Sequence, residues 1–205
     1  KLTNSVNQYG HTISYNPEFI AQGSIINDME NPDMVLIGEC DKEVGDVIEE
    51  INLNIAKNTP VVRRMKPLSA EITKLSLNCY VTMKIAFANN LGDLSTEVGA
   101  EPEKILEAVG SDSRIGNKYF KYGFGFGGPC FPRDNKAMGI FSDEIGLEMI
   151  FSKVTDEANN RHLNYQVNKS RKIGNSNVTV EPVSYKDGST KNLNLKKNIE
   201  MKKII

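Results

Sequence analysis

Histidine and cysteine are scarce in this chain. There are two histidines, His11 and His162, and three cysteines, Cys40, Cys79 and Cys130, in 205 residues. Cysteines so widely spaced make neither a disulfide framework nor a zinc pattern, and two histidines do not build a histidine-rich centre, so no metal is expected. Thiols used this way fit a reducing compartment, and a cytoplasmic location is expected. Net charge is nearly lacking too, at a formal −1. Such a balance gives no reason to expect nucleic acid or an anionic membrane as a partner. No apolar run approaches the roughly 18 residues of a membrane span, and the first residues lack a signal-peptide pattern. Internal repeats and low-complexity segments are missing as well. Lys1 is not an initiator methionine, and Lys202-Lys203-Ile204-Ile205 carries no closing signal, so a piece of a longer polypeptide is expected. The length allows one or two domains with ample core.

Against this background one stretch stands out, Gly123-Phe124-Gly125-Phe126-Gly127-Gly128-Pro129-Cys130-Phe131-Pro132-Arg133-Asp134. Glycine lets backbone come close to a ligand because no Cβ intervenes. Proline fixes φ and removes a donor, so Pro129 and Pro132 predict a rigid, non-helical setting for Cys130. Gly123, Gly125 and Gly128 match the dinucleotide fingerprint G-x-G-x-x-G, which works only between a strand and a helix N-terminus. Here prolines stand where the helix should begin, and Asn117-Lys118-Tyr119-Phe120-Lys121-Tyr122 is no buried strand. The expectation is a loop wrapped around another part of a ligand.

Taken in order, Thr12-Ile13-Ser14-Tyr15 reads as a short strand ending at Asn16-Pro17. Residues 18–23 read as a helical turn with Glu18 and Gln22 facing the same way. Met34-Val35-Leu36-Ile37-Gly38 is a buried-strand signal, with Cys40 after it as a small core residue. Apolar residues at helical spacing predict a helix over 43–55. Pro67 and Ser69, the latter as N-cap, announce a long helix that runs to about Val98 and is stopped by Gly99. Lys74 and Asn78 lie one turn apart on it, as a solvated face or as a functional pair, and Cys79 falls on its apolar stripe. A second helix spans 103–109 behind Pro102. Arg114 follows in a polar loop, as a surface residue or a phosphate contact. A helix is expected from Arg133 or Asp134 to Ser142. Another covers 147–173, with Ile150, Val154, Ala158 and Leu163 on its apolar stripe, and Asp156, Glu157, Asn159, Asn160 and Arg161 on its polar face. Such a helix suits a dimer or a domain junction. After a linker at 174–177, residues 178–183 read as one strand weakened by Pro182, and 192–205 as a basic helix.

Around Cys130 the chemistry leaves two alternatives open. A thiol near a cation and a helix N-terminus favours a nucleophilic thiolate, with Arg133 close in sequence and Asp134 able to orient a water or a lysine. The other alternative is a structural thiol in a tight loop. His11 and His162 have no evident link to the loop, so a Cys–His hydrolase is weakly supported.

Four motifs together carry a resemblance to a known family: Asn16-Pro17-Glu18-Phe19, the helix from Leu68 through Lys74 to Asn78, Arg114-Ile115-Gly116, and Gly125 through Cys130 to Asp134. In order and spacing they resemble the UDP-glucose/GDP-mannose (nucleotide-sugar) dehydrogenases, most closely the UDP-glucose 6-dehydrogenase branch. The resemblance runs from about Ile13 to Thr190. It implies α/β structure at both ends and a mainly α-helical central domain, as a fragment of a Rossmann–helical–Rossmann-like three-domain enzyme. Residues 1–60 would end the NAD-binding domain, 61–173 would form the central dimerisation and catalytic domain, and 174–205 would begin the UDP-binding domain.

The resemblance further implies NAD as cofactor, a nucleotide-sugar substrate (UDP-glucose before others) and a homodimer through the central helices. It makes Cys130 the nucleophile, Lys74 an oxyanion stabiliser and Asn78 its hydrogen-bonding helper. Asp134 supports the water or lysine network, and Glu18 serves in acid–base work. Substrate contacts fall to Arg114, Lys121, Tyr122, Gly123, Phe124, Gly125, Phe126 and Gly127, with Tyr185 and Lys186 from the third domain. Gln22 and Arg133 fall on the cofactor side. Gln22 stands where relatives often carry Glu, and Arg133 replaces a common Lys. The nucleotide-binding half of the first domain and most of the third are expected to be missing, so the chain alone should bind NAD poorly and turn over little. Rival readings are a non-catalytic dimerisation module of the same fold, and a sister dehydrogenase acting on GDP-mannose or UDP-N-acetylmannosamine.

Overall fold

The computed structural model describes residues 2–21, 23–172, 180–183 and 192–195. Its chain falls into two units, Lys1–Leu77 and Asn78–Ile205. Among the described residues no helix is long and apolar enough to cross a membrane.

The first unit opens with two short helices, α1 (Leu2–Asn7) and α2 (Ile25–Glu30), ahead of strand β1 (Met34–Gly38). Val35, Leu36 and Ile37 are buried, as an apolar run in a parallel sheet should be. Helix α3 (Lys42–Ile55) follows, started by the Asp41 carboxylate, which accepts from Glu43 N at 2.8 Å and Val44 N at 3.3 Å. Strand β2 (Val61–Met65) then pairs parallel with β1, Met34 opposite Val61 and Gly38 opposite Met65. This β-α-β crossover is the signature of a parallel α/β layer, and β2 lies beyond residue 60. Arg64 ties β2 to the helix: its guanidinium donates to Glu39 (2.5 Å), Asp46 (2.5 Å) and Glu49 (3.0 Å). A Cβ at Gly45 would stand 1.8 Å from Glu39 Oε2, so glycine leaves the space this ion cluster fills.

Three local expectations need correction here. The strand at 12–15 reduces to one antiparallel bridge, in which Tyr15 and Gly38 exchange both N–H···O bonds at 2.7 Å. Residues 16–21 form no helical turn; the Asp28 carboxylate takes the Ala21 amide (2.8 Å) and the Ser24 hydroxyl (2.7 Å), which commits the backbone to starting α2 instead. Cys40 is exposed rather than in the core, because its thiol turns out to donate to Ile13 O at 2.7 Å.

Helix α4 (Pro67–Glu97) is the longest element, and Gly99 at φ 73° closes it. It begins at Pro67, whose fixed φ suits a first turn. Ser69 therefore lies inside the helix, not at its cap, and its carbonyl accepts from Thr73 Oγ1 at 2.8 Å. In the second unit α5 (Pro102–Gly110), α6 (Phe131–Glu144) and α7 (Ile150–Lys172) follow. Ala88 of α4, Leu106 of α5 and Phe120 form a small apolar core, with Leu91 and Tyr122 against it.

Helix α6 starts earlier than expected. Cys130 is its N-cap residue, in right-handed helical geometry (φ −94°, ψ −54°), and Cys130 O accepts the Asp134 amide at 2.8 Å. Cys130 itself stays outside the helix, but the helix begins directly after it, because Pro132 falls in the first turn, where no N–H is needed. The face of α7 is also corrected. Its buried residues are Ser152, Thr155, Asn159 and His162, while Ile150 and Val154 are more than half exposed. Asn159 and His162 turn inward because the backbone facing them offers hydrogen-bond partners.

Beyond α7, β3 (Val180–Val183) pairs antiparallel with β4 (Asn192–Leu195). The first residues of the expected C-terminal helix are therefore a strand, in keeping with the period-two alternation of Asn192-Leu193-Asn194-Leu195. Pro182 is tolerated in a two-stranded edge pairing.

Candidate active site

A cavity of about 740 Å³ opens in the second unit, within the size range of small-molecule sites. It is lined by Ile85, Asn117, Lys118, Tyr119, Lys121, Phe131 and the whole run 122–127. Tyr119, at φ 60°, holds a left-handed conformation that a tyrosine rarely adopts, a kind of strain that gathers at ligand sites. The segment 117–127 has neither helix nor strand. Gly123 and Gly127 have open space where a Cβ would stand, whereas a Cβ at Gly125 would meet Asn159 Oδ1 at 2.4 Å. Phe124 is 94% exposed and Phe126 is buried. The expected substrate residues Lys121, Tyr122, Gly123, Phe124, Gly125, Phe126 and Gly127 therefore line one cavity.

At the end of this loop Cys130 is exposed, at the positive end of α6. Just behind it Asp134 is 2% exposed. Its Oδ2 accepts from Asn78 Nδ2 at 2.6 Å and its Oδ1 from Arg133 Nε at 2.8 Å. The expected residues Cys130, Asp134, Asn78 and Arg133 are thus one connected group. Cys79, one residue past Asn78, is a buried thiol that donates to Asp134 O at 3.7 Å. Burial, with the Asp134 and Asp156 carboxylates nearby, pushes its pKa up to about 11. It is a packing thiol, and Cys130 is the accessible one of the pair.

In the first unit Lys74 Nζ donates to the Glu18 carbonyl oxygen and lies 4.3 Å from the centre of the Phe19 ring. Asn16 holds that segment to β1, donating to Leu36 O at 2.9 Å. Glu18 itself is exposed. Arg114 is engaged by Asp112 through Nε (2.9 Å) and Nη2 (2.6 Å), so an anion would have to compete with that carboxylate. Gln22, Tyr185 and Lys186 lie outside the described residues.

The residues that the sequence reading missed are Asn89 and Asp93 on α4 and Asn159 and His162 on α7. His162 Nε2 stands 2.7 Å from Gly123 O, and its Nδ1 2.9 Å from Asp93 Oδ2. The expectation that His162 has no link to the loop is therefore corrected. Asn89 to Asp93 is a four-residue step and Asn159 to His162 a three-residue step, so each pair shares a helix face. That spacing shows a shared face but not what the face touches, because the partners lie 33 to 39 residues away.

The carboxyl ends of β1 and β2, where parallel sheets receive nucleotides, carry a depression of about 410 Å³ lined by Glu39, Cys40, Asp41, Lys42, Met65 and Lys66. The amides at the start of α3 are already capped by Asp41 and offer no pyrophosphate cradle. The described residues thus fit a sheet edge of such a site and lack its phosphate contacts. Among them no cluster of metal-ligating side chains occurs.

Comparison with known proteins matches residues 1–56 to the NAD binding domain of the UDP-glucose/GDP-mannose dehydrogenase family and residues 68–161 to its central domain. The UDP-glucose 6-dehydrogenase TuaD of Bacillus subtilis is 33% identical over 165 residues, covering 80% of this chain and 35% of that protein. The GDP-mannose 6-dehydrogenase of Pseudomonas aeruginosa is 31% identical over 138 residues, covering 66% and 31%. A solved UDP-glucose dehydrogenase from Pyrobaculum islandicum superposes with a TM-score of 0.74 at 34% identity, covering 82% of this chain and 38% of that one. The chain spans about a third of the length of these two curated relatives.

Proposed function

Because the chain belongs to the UDP-glucose/GDP-mannose dehydrogenase family, whose NAD binding and central domains it matches over most of its length, we propose that it is part of an NAD-dependent enzyme that oxidises the C6 alcohol of UDP-glucose to the carboxylate. The observation that carries the proposal is the exposed Cys130 thiol at the N-terminus of α6, backed by the buried Asp134–Asn78 pair.

NAD, bound by the complete enzyme, supplies the hydride acceptor for each of the two oxidations. The work of this chain is to hold and protect the intermediate. The Cys130 sulfur adds to the C6 aldehyde carbon, forming a C–S bond and a thiohemiacetal, and the aldehyde cannot escape. After the second oxidation the acyl group remains on sulfur as a thioester. Water then adds to the acyl carbon, the C–S bond breaks, and carboxylate and thiol are released. Lys74 stabilises oxyanion character at C6, and Asn78, oriented by Asp134, adds a hydrogen bond. Glu18 takes and returns the proton of the hydrolytic water. The cavity along 121–127 receives the nucleotide-sugar, with Arg114 as an anion contact and Tyr185 and Lys186 as further contacts. Gln22 and Arg133 serve the cofactor side.

Two subunits would pair through the central helices. Ile140, Ile145, Leu147, Ile150, Phe151 and Val154, on α6, α7 and their junction, are each more than half exposed, which supports a helix-mediated contact there. A free, accessible Cys130 needs a reducing compartment, which supports the cytoplasm.

The test is the NADH formed per UDP-glucose consumed by the complete polypeptide. About two per sugar is expected for oxidation of an alcohol to an acid. Turnover only with GDP-mannose or UDP-N-acetylmannosamine would keep the mechanism and move the specificity. No NADH with any of the three would favour a non-catalytic module of the same fold.

A further inference from the structure

The glycine-rich loop has no secondary structure, yet buried side chains from two helices grip its backbone at successive peptide groups. From α4, Asn89 accepts from Gly123 N at 3.0 Å through Oδ1 and donates to Phe124 O at 3.1 Å through Nδ2. From α7, Asn159 makes the same two-point contact on Phe126, accepting from its N at 2.9 Å and donating to its O at 3.0 Å. His162 donates to Gly123 O between them at 2.7 Å. All three side chains are less than 8% exposed.

The grip is itself supported. Nδ1 of His162 lies 2.9 Å from Asp93 Oδ2, and Asp93 also accepts from the Tyr122 hydroxyl at 2.9 Å. Gln166 Nε2 donates in turn to that hydroxyl at 2.8 Å. The two ring nitrogens of His162 face a carbonyl and a carboxylate, so the ring is held between the loop and α4. The lack of side chains at two glycines makes the fit possible. A Cβ at Gly125 would collide with the Asn159 amide, and one at Gly92 with the Tyr122 ring at 2.0 Å. Gly123 and Gly127, in contrast, meet nothing within 4 Å. One side of the loop is fastened and the other is left open to the cavity.

We propose that Asn89, Asn159 and His162 are positioning residues that hold the loop from Gly123 to Phe126 in its ligand-binding form before any ligand arrives, with Asp93 fixing the orientation of His162. The proposal rests on reading the cavity as the nucleotide-sugar site. An irregular loop that had to order on binding would lose affinity to its own conformational entropy, and buried hydrogen bonds remove that loss beforehand. None of the three residues touches the reacting atoms, so their effect falls on binding and on loop order.

The test compares His162→Leu and Asn159→Asp with the unaltered full polypeptide. Asn159→Asp keeps the acceptor for Phe126 N but sets a carboxylate against Phe126 O, with almost no change in shape. Hydrogen exchange at the Gly123 and Phe126 amides, measured without ligand, reads the grip directly. Exchange at both is expected to speed up at least about tenfold in each variant, with the rest of α4 and α7 still protected. The dissociation constant for UDP-glucose is expected to rise about tenfold, while the rate of Cys130 alkylation by iodoacetamide stays the same. If His162→Leu does not fold, Asn159→Asp decides alone. Unchanged loop exchange in a folded variant overturns the proposal, and so does faster exchange with unchanged UDP-glucose affinity. Failure of the unaltered protein to bind UDP-glucose at all overturns the reading of the cavity, and that outcome is told apart because the loop amides would still respond to the substitutions.

Discussion

Asn78 Nδ2 donates to Asp134 Oδ2 at 2.6 Å, joining α4 to the first turn of α6 across fifty-six residues of chain. The carboxylate is buried, and its other oxygen accepts from Arg133 Nε at 2.8 Å. Both donors are therefore aimed at one acceptor group, and Asp134→Ala leaves the Asn78 amide without its partner in a half-buried place. Losing such a bond costs about 1–3 kcal/mol. Denaturant unfolding of Asp134→Ala is expected to show a loss of that size; a change under about 0.5 kcal/mol, the range of an ordinary surface substitution, would mean that the pair does not tie the helices together.

Cys130 and Cys79 separate by accessibility. Cys130 is exposed at a helix N-terminus, and Cys79 is buried with its pKa pushed up to about 11. Iodoacetamide at neutral pH is expected to alkylate Cys130 and the exposed Cys40 in the folded protein and to spare Cys79 until denaturant is added. Mass spectrometry of the peptides reads this directly, and early labelling of Cys79 would contradict the burial. In the complete enzyme Cys130→Ala is expected to stop formation of the acid.

How much of this was legible in the sequence depends on which side chains make the contacts. β1, α3, α4 and α5 announce themselves through apolar periodicity and through Pro67, Gly99 and Pro102 at their ends. The start of α6 does not, because Pro132 read as a helix breaker is in fact a first-turn residue. The buried face of α7 is hidden more thoroughly. It is built from Ser152, Thr155, Asn159 and His162, and a search for hydrophobic spacing selects Ile150 and Val154, which are exposed. The motif around Cys130 is visible as a motif, while the side chains that fasten the loop before it lie 33 to 39 residues away in the chain. Polar contacts of that range leave no local pattern.

The buried Cys79 thiol also sets a pH dependence at the alkaline end. Its pKa rises from an ordinary 9.0 to about 11, chiefly by burial, with the Asp134 and Asp156 carboxylates adding to the shift. Between those values the unfolded chain has released this proton and the folded chain still holds it. Fewer protons on the unfolded side mean that stability falls as pH rises through this window, and below it the contribution is fully present. Cys79→Ala is expected to flatten the stability profile between about pH 9 and 11, measured by denaturant midpoints at several pH values. An equally steep decline in that variant would assign the slope to other groups, Tyr122 among them, whose pKa burial also raises.

Gly92 gives the sharpest contest between two effects. It sits inside α4, where replacing an interior glycine by alanine normally stabilises a helix by about 1 kcal/mol. Here the new Cβ would stand 2.0 Å from Tyr122 Cδ2 and 2.5 Å from two more ring atoms. A ring packed against the core cannot yield as the end of a flexible chain can, so Tyr122 must move and give up its 2.9 Å bond to Asp93. Overpacking of this kind costs about 1–3 kcal/mol, and the lost hydrogen bond adds about 1 kcal/mol. Gly92→Ala is therefore expected to be net destabilising by about 1–3 kcal/mol despite the better helix former. Reversal by the added change Tyr122→Ala, which empties the space the methyl needs, would identify the collision as the cause. A Gly92→Ala protein as stable as the original would show that the ring has another place to go.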